Sequence, residues 1–318
     1  DVLWPMLAFQ TAFLLLLLFF PVRGAVTSIC YPLLLAFTLA VNTLNLKLCA
    51  DFEHYECPVN YGIARSMGSA AYMAVSMLLG VWVTKFGVRI LPTVGLAVTA
   101  LQCVANALLA RSVVRLRKKM LSSHPAALPP GRSLSDFLRQ SPRFCLLLAG
   151  TALLFFSHNT TSTFLINFVE RAGGGTETLG YLAAFIAAVE IPTMLLFSRV
   201  FRRRSCAGVL RFSFILFVIK AAAFAAAPSI PLLFAAAAIQ IPSYALYVPG
   251  IVAYVTLIVP YEDAAKGQGL AFSMTTIGGV LASLISGRLF DTLSVPATAW
   301  IAAAVCAVGA ILACRGLE

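Results

Sequence analysis

Glu190, in Ala187-Ala-Val-Glu-Ile-Pro192, is the one acidic side chain within any of ten apolar runs long enough to cross a bilayer. A carboxylate at hydrocarbon depth costs roughly 2.5–3.5 kcal/mol on insertion scales, so such groups face a cavity or a partner. The chemistry open to it is proton carriage or solute binding. Lys220, in Phe217-Val-Ile-Lys-Ala-Ala-Ala, is the candidate partner. It lies about 10 Å inside the end of its run at about 1.5 Å per residue, deeper than a snorkelling side chain escapes freely. A Glu190–Lys220 pair would lower the cost of both charges, and its loss on proton or solute binding would act as a switch. The plain alternative is a fixed structural ion pair.

Polar residues inside the runs fall on helical stripes. Thr38, Asn42 and Asn45 share one face, Asn159, Thr163 and Asn167 a second, and Gln240, Tyr244 and Tyr247 a third. Such stripes turn away from lipid, either to bond a neighbouring helix or to line a watery space. Three of them together with Glu190 favour a cavity. Tyr244, Tyr247 and Trp82 offer rings on which a sugar or an aromatic solute could stack. His158 is deep enough to titrate usefully, although a histidine beside Asn159 also reads as a hydrogen-bonded structural group. Arg65 opens its run in Tyr61-Gly-Ile-Ala-Arg-Ser-Met-Gly-Ser and reads from hydropathy as an interfacial anchor. Gly278, Ala282 and Ser286 make a small-residue face suited to close helix packing. Pro192, Pro242 and Pro249 interrupt helices near the inferred cavity, as kinks or as the broken helices of a transport site.

The elements that must position these residues are membrane spans. The chain has 318 residues, 60% of them hydrophobic and 11% charged, against about 25% charged in soluble domains. Runs near 20 residues fall at 3–20, 25–46, 61–83, 89–110, 143–168, 178–199, 206–227, 230–257, 266–289 and 295–314. The net charge of +11 is concentrated in two loops. Arg111, Arg115, Arg117, Lys118, Lys119, Arg132, Arg139 and Arg143 lie between the fourth and fifth runs, and Arg199 and Arg202 to Arg204 follow the sixth. Two crossings separate these loops, so they share a side, which the positive-inside rule makes cytoplasmic, along with both chain ends. Basicity is thus a topology signal and not a nucleic-acid footprint. The eight cysteines contain no CxxC and read as packing residues. Cys49, Glu53, His54 and Cys57 match no zinc spacing, and no metal or cofactor is expected. No nucleophile elbow or phosphate loop is present, so the chain does not read as an enzyme.

The stretch 111–142, with Pro125, Pro129, Pro130 and Gly131, separates four runs from six. It reads as a cytoplasmic linker between an N-terminal bundle at 1–110 and a C-terminal six-helix bundle at 143–318. Faint repetition between Gly80–Val88 and Gly287–Val295 suits two related halves.

Asn60-Tyr-Gly-Ile-Ala-Arg-Ser-Met-Gly-Ser, Gly267-Gln-Gly-Leu-Ala-Phe, Gly287-Arg-Leu-Phe-Asp and Glu190-Ile-Pro resemble the major facilitator superfamily. More narrowly they resemble its lactose-permease-like branch of oligosaccharide, nucleoside and phenylpropionate symporters. The resemblance spans essentially the whole chain and implies an all-α polytopic fold of twelve helices in two halves, of which ten are present and the first two absent. It implies that Arg65 is a substrate-binding arginine of a central cavity. It places Glu190 at or near the acidic coupling position, about one turn out of register, and Lys220 at the basic position of the next helix. The sequence departs from that branch at 230–258, which has no acid, base or histidine; Gln240 and Ser243 stand at the corresponding places. Lys47 stands where an acidic partner occurs.

The expected function is secondary active transport of a small organic solute by alternating access, with proton symport. Arg65, Asn42, Asn159, Thr163, Gln240, Tyr244 and Tyr247 are the expected solute-binding residues, and Glu190 and Lys220 the proton-coupling pair. The alternatives are a facilitated-diffusion uniporter and a non-transporting membrane receptor or scaffold. The expected setting is a bacterial-type inner membrane, with the protein acting as a monomer.

Overall fold

A computed structural model describes residues 3–20, 24–27, 29–35, 37, 38, 41, 61–120, 133–201, 205–260 and 263–317. All regular structure among the described residues is helical. Asn42, Asn45, Lys47, Cys49, Glu53, His54 and Cys57 lie outside the described residues, and the side chain of Arg65 is likewise outside them.

The chain divides into two compact units, residues 1–61 with 81–127 and residues 62–80 with 128–318. The first unit holds α1 (Leu3–Phe19), α2 (Ala25–Leu35), the end of α3 (Tyr61–Phe86) and α4 (Ile90–Met120). α1 is apolar on every side, the pattern of a helix surrounded by lipid and other helices. Its inward face carries Leu7, Gln10 and Leu14. Gln10 Nε2 donates to Thr99 Oγ1 of α4 at 3.2 Å, and Leu14 lies over Gly95, where a side chain would meet it. Phe9 and Phe13 pack on Phe37, with centroids 5.2 and 5.7 Å apart. Trp4, Leu15 and Phe19 are left exposed. A soluble monomer seldom exposes so continuous an apolar surface, whereas the hydrocarbon of a bilayer solvates it. α4 runs ten residues beyond the expected end at 110, to Met120, so the basic linker begins as helix.

The second unit is built from α5 (Leu134–Gln140), α6 (Pro142–Thr163), α7 (Leu165–Arg171), α8 (Thr176–Phe201), α9 (Cys206–Ala226), α10 (Ile230–Ala238), α11 (Tyr244–Ile258), α12 (Ala264–Leu281), α13 (Gly287–Thr292) and α14 (Val295–Gly316). Helix starts are encoded locally. Ser205 and Ser294 accept from the backbone N–H groups of Gly208 and Ala297, and Pro142, Pro231 and Pro296 occupy first-turn positions where a missing N–H costs nothing. The core joins Leu147, Leu154, Phe155, Phe214, Phe217, Tyr247, Ile251 and Cys306 from α6, α9, α11 and α14. α6 and α14 touch backbone to backbone, because a Cβ on Gly150 or Gly309 would collide with the facing helix. α3 and α8 do the same at Gly80 and Gly180, where a Cβ on Gly180 would lie 2.7 Å from Gly80 Cα.

Three expected spans are not single α-helices. The fifth breaks at Phe164, between α6 and α7. The ninth contains a π-helical turn at Ala282–Ser286, where Ser286 Oγ and Thr160 Oγ1 are 2.7 Å apart. The expected span 230–257 is two helices separated at Ile239–Ser243. Pro242 has no N–H to donate and pushes Ile241 away from the helical region. The ladder responds with tight bonds, from Gln240 N to Ala237 O at 2.9 Å and from Ile241 N to Ala238 O at 3.2 Å, then a longer reach from Ala245 N to Gln240 O at 3.2 Å. Ser213 Oγ of α9 donates to the Ser243 carbonyl at 2.8 Å, a second bond to an acceptor that also takes the Tyr247 N–H at 3.0 Å. Gln240 sits in the break.

Candidate functional site

α8, α9 and the α10–α11 break converge on one buried polar chain. Glu190 lies 14 residues into α8, roughly 21 Å along it, and Lys220 six residues, roughly 9 Å, from the end of α9. Both are buried, with relative exposures of 7% and 4%, and so is Gln240 at 4%. Lys220 Nζ donates to Gln240 Oε1 at 2.7 Å, and Gln240 Nε2 donates to Glu190 Oε1 at 2.8 Å. Ser69 Oγ of α3 approaches the other carboxylate oxygen at 3.4 Å. The acid and the base that the sequence singles out thus share one site, yet no ion pair joins them among the described residues; a neutral carboxamide bridges the two charges.

Lys220 has a second polar partner, His158 Nδ1 on α6, at 2.9 Å. An ammonium can only donate, so Nδ1 accepts and the neutral ring carries its proton on Nε2. The imidazole lies flat on Tyr244, with centroids 4.8 Å apart and planes inclined by 14°. Lys220 Nζ is 5.1 Å from the centroid of Phe217, close enough for the ring face to help hold the cation.

A small pocket, with room for about one water, opens beside this chain. Lys220, Gln240, Thr161 and Ser162 form its polar wall, and Leu165, Ile186, Phe224 and Ala237 its apolar wall. The hydroxyls of Thr161 and Ser162 donate to the carbonyls of Ser157 and His158 one turn back, at 3.3 and 2.9 Å. Toward the cavity they therefore offer only oxygen lone pairs.

Of the expected site residues, Glu190, Gln240 and Lys220 come together, and Tyr244 joins them through His158. Asn159 instead donates to the Phe155 carbonyl at 2.8 Å and lies against Gly279 of α12. Thr163 is exposed at the end of α6. Tyr247 is a core side chain, 1% exposed and packed on Phe155, Phe217 and Phe214, with Thr151 beside its hydroxyl. Arg65 is placed only as a backbone position in the first turn of α3. Ser69, Thr161 and Ser162 are site residues that the helical stripes do not single out. Among the described residues no group of histidines, cysteines and carboxylates has the arrangement to hold a metal ion.

A family model described as the MFS_1 like family matches residues 4–302. No curated protein matches the sequence. Among solved structures the chain is similar to FucP, a Major Facilitator Superfamily transporter crystallised in its outward conformation. The TM-score is 0.56 at 16% identity, over 98% of this chain and 83% of that one. A single-site variant of the E. coli fucose:proton symporter FucP gives a TM-score of 0.57 at 16% identity, over 98% and 84% of the two chains. At that identity the likeness carries the fold, and the family match carries the relationship. The chain belongs to the MFS_1 like family within the major facilitator superfamily, and it is a polytopic membrane protein of transporter type, not an enzyme.

Proposed function

We propose that the protein is a proton-coupled symporter, moving a small organic solute across the membrane by alternating access between two helical halves, 1–110 and 143–318. The observation that carries this reading is the bridged chain Lys220–Gln240–Glu190, buried at an interrupted helix and bordering a cavity. A structural ion pair would be expected to close directly. Here an amide stands between the charges, so either charge can exchange its partner for a solute atom or a proton without unravelling a helix. Glu190 is the proton site, because protonation removes its charge and weakens the Gln240 bond that ties it to Lys220. The interruption at Ile239–Ser243 supplies the backbone freedom that such an exchange needs, in the manner of discontinuous transporter helices.

In this reading Lys220, Gln240 and Tyr244 bind solute from the C-terminal half. Arg65, Asn42, Asn159, Thr163 and Tyr247 remain the residues whose substitution should alter solute affinity. The basic loops support a cytoplasmic side for both chain ends, and the setting proposed is a bacterial-type inner membrane with one chain as the functional unit.

Purified protein in vesicles with an imposed inward proton gradient should accumulate at least one solute from a panel of hexoses, nucleosides and aromatic acids. A protonophore should abolish the accumulation. Equilibration without accumulation, unaffected by the protonophore, would instead make the protein a uniporter; no movement of any solute would leave a receptor or scaffold.

A further inference from the structure

Two packed helices, α9 and α14, each carry an outward apolar stripe that ends on an arginine. On α9 the stripe is Arg211, Ile215 and Ile219, and on α14 it is Val308, Ile311 and Arg315, all of them exposed. The spacings of three and four residues put each set on one helix face. The arginine ends of the two stripes meet. Arg211 Nη2 donates to the Leu317 carbonyl, just past the end of α14, at 3.3 Å. A Cβ on Gly316 would lie 2.6 Å from the Arg143 carbonyl oxygen, so the start of α6 brings a third arginine to the same end of the unit.

Arg211 stands five residues into α9, roughly 8 Å along it. Its outward neighbours Phe212 and Ile215 are covered by hydrocarbon in a bilayer. A cation in that position stretches toward the interface and gains most from an anion there. The Leu317 carbonyl occupies one of its five N–H donors. Among the described residues no carboxylate pairs with Arg211 or Arg315. The described acids at this end of the helices are engaged elsewhere: Asp136 accepts from Ser133 Oγ at 2.6 Å, and Asp263 pairs with Lys266 at 2.9 Å.

We propose that this surface docks an anionic phospholipid, its phosphodiester held by Arg211 and Arg315 and its acyl chains lying on the two apolar stripes. A guanidinium fork matches phosphate oxygens bidentately, and basic clusters where helices meet the interface attract anionic headgroups. A zwitterionic lipid carries its own ammonium, which the arginines repel, so the preference is set by the headgroup and not by the chains. The bound lipid would hold the start of α9 to the end of α14. The surface is separate from the polar chain of Lys220, which lies nine residues further along α9, roughly 14 Å away. The proposal therefore does not depend on the symport reading.

The test is native mass spectrometry of the purified protein titrated with phosphatidylglycerol and phosphatidylcholine of identical chains, with thermal unfolding measured alongside. Phosphatidylglycerol should bind at least about fivefold more tightly, since each arginine near the surface contributes an attraction of that order, and should raise the melting temperature more. Arg315→Gln should weaken the preference while leaving the Arg211–Leu317 bond in place, and Arg211→Gln with Arg315→Gln should abolish it. Arg288→Gln makes the same charge change beyond the other end of α14 and should keep the preference. Equal affinity of the two lipids in the wild-type protein, or an undiminished preference in the double variant, would overturn the proposal. So would an equal loss in Arg288→Gln, which would reduce the effect to overall charge. Glycerol phosphate in place of the lipid should produce no stabilisation; stabilisation equal to that by phosphatidylglycerol would make this a site for a soluble phosphate and overturn the lipid assignment.

Discussion

Lys220 and Glu190 occupy consecutive helices and one buried site, where they are joined through Gln240, which accepts from the first at 2.7 Å and donates to the second at 2.8 Å. Replacing Gln240 with leucine therefore removes two charge-assisted bonds at once. Such bonds are worth roughly 1.5–3 kcal/mol each. Gln240→Leu should lower the melting temperature in detergent by several degrees and abolish transport. A Gln240→Leu protein with unchanged stability would mean that the two charges have found each other directly or found water.

The His158 ring has two separable roles, acceptor for Lys220 and stacking partner for Tyr244. Tyr244→Phe keeps the stack and should be the milder of the two substitutions in thermal unfolding. Tyr244→Ala should lose the ring contact, worth about 0.5–1.5 kcal/mol, in addition to its packing. If Tyr244→Phe is as damaging as Tyr244→Ala in thermal unfolding, the hydroxyl and not the ring face matters there.

How far the site was legible in the sequence differs residue by residue. Glu190 and Lys220 announce themselves, because an isolated charge in an apolar run has no inexpensive place to go. Gln240 was legible as polar, but its role as a bridge depends on the break that Pro242 imposes on a run whose hydropathy is continuous from Ile230 to Ile258. The stripe Asn159–Thr163–Asn167 has helical spacing, yet the face that borders the cavity is that of Thr161 and Ser162. Periodicity marks a side chain that avoids lipid. It does not say whether the shelter is a cavity or the next helix, and Asn159 found Gly279 of α12. The spans were legible for the same reason as the charges, since length and hydropathy bound them. The breaks at Phe164 and Ala282–Ser286 fall where no proline stands, so nothing in the sequence punctuates them.

The contact of α3 with α8 leaves no room for a side chain. A Cβ on Gly180 would lie 2.7 Å from Gly80 Cα and 2.9 Å from the Ser76 carbonyl oxygen, and backbone cannot rotate aside. Overpacking of this kind typically costs about 1–3 kcal/mol. Gly180→Val should lower stability by that order in thermal unfolding and slow transport, whereas Gly175→Ala, at a position with open space around it, should be close to neutral.

Ser213 ties α9 to the broken helix through the Ser243 carbonyl. Ser213→Ala removes that bond, though the carbonyl keeps the Tyr247 N–H, and should cost about 1 kcal/mol. The matching functional expectation is weaker solute binding, since the bond holds the segment carrying Gln240. A loss of stability with unaltered affinity would show that the break is positioned by its own tight turn alone.

The measurement that tests the account most directly compares two transport modes in vesicles containing Glu190→Gln. If Glu190 carries the coupling proton, the variant should exchange labelled solute in counterflow at a rate near wild type and fail to accumulate it against a gradient under an imposed proton gradient. Uphill accumulation equal to wild type would contradict the account.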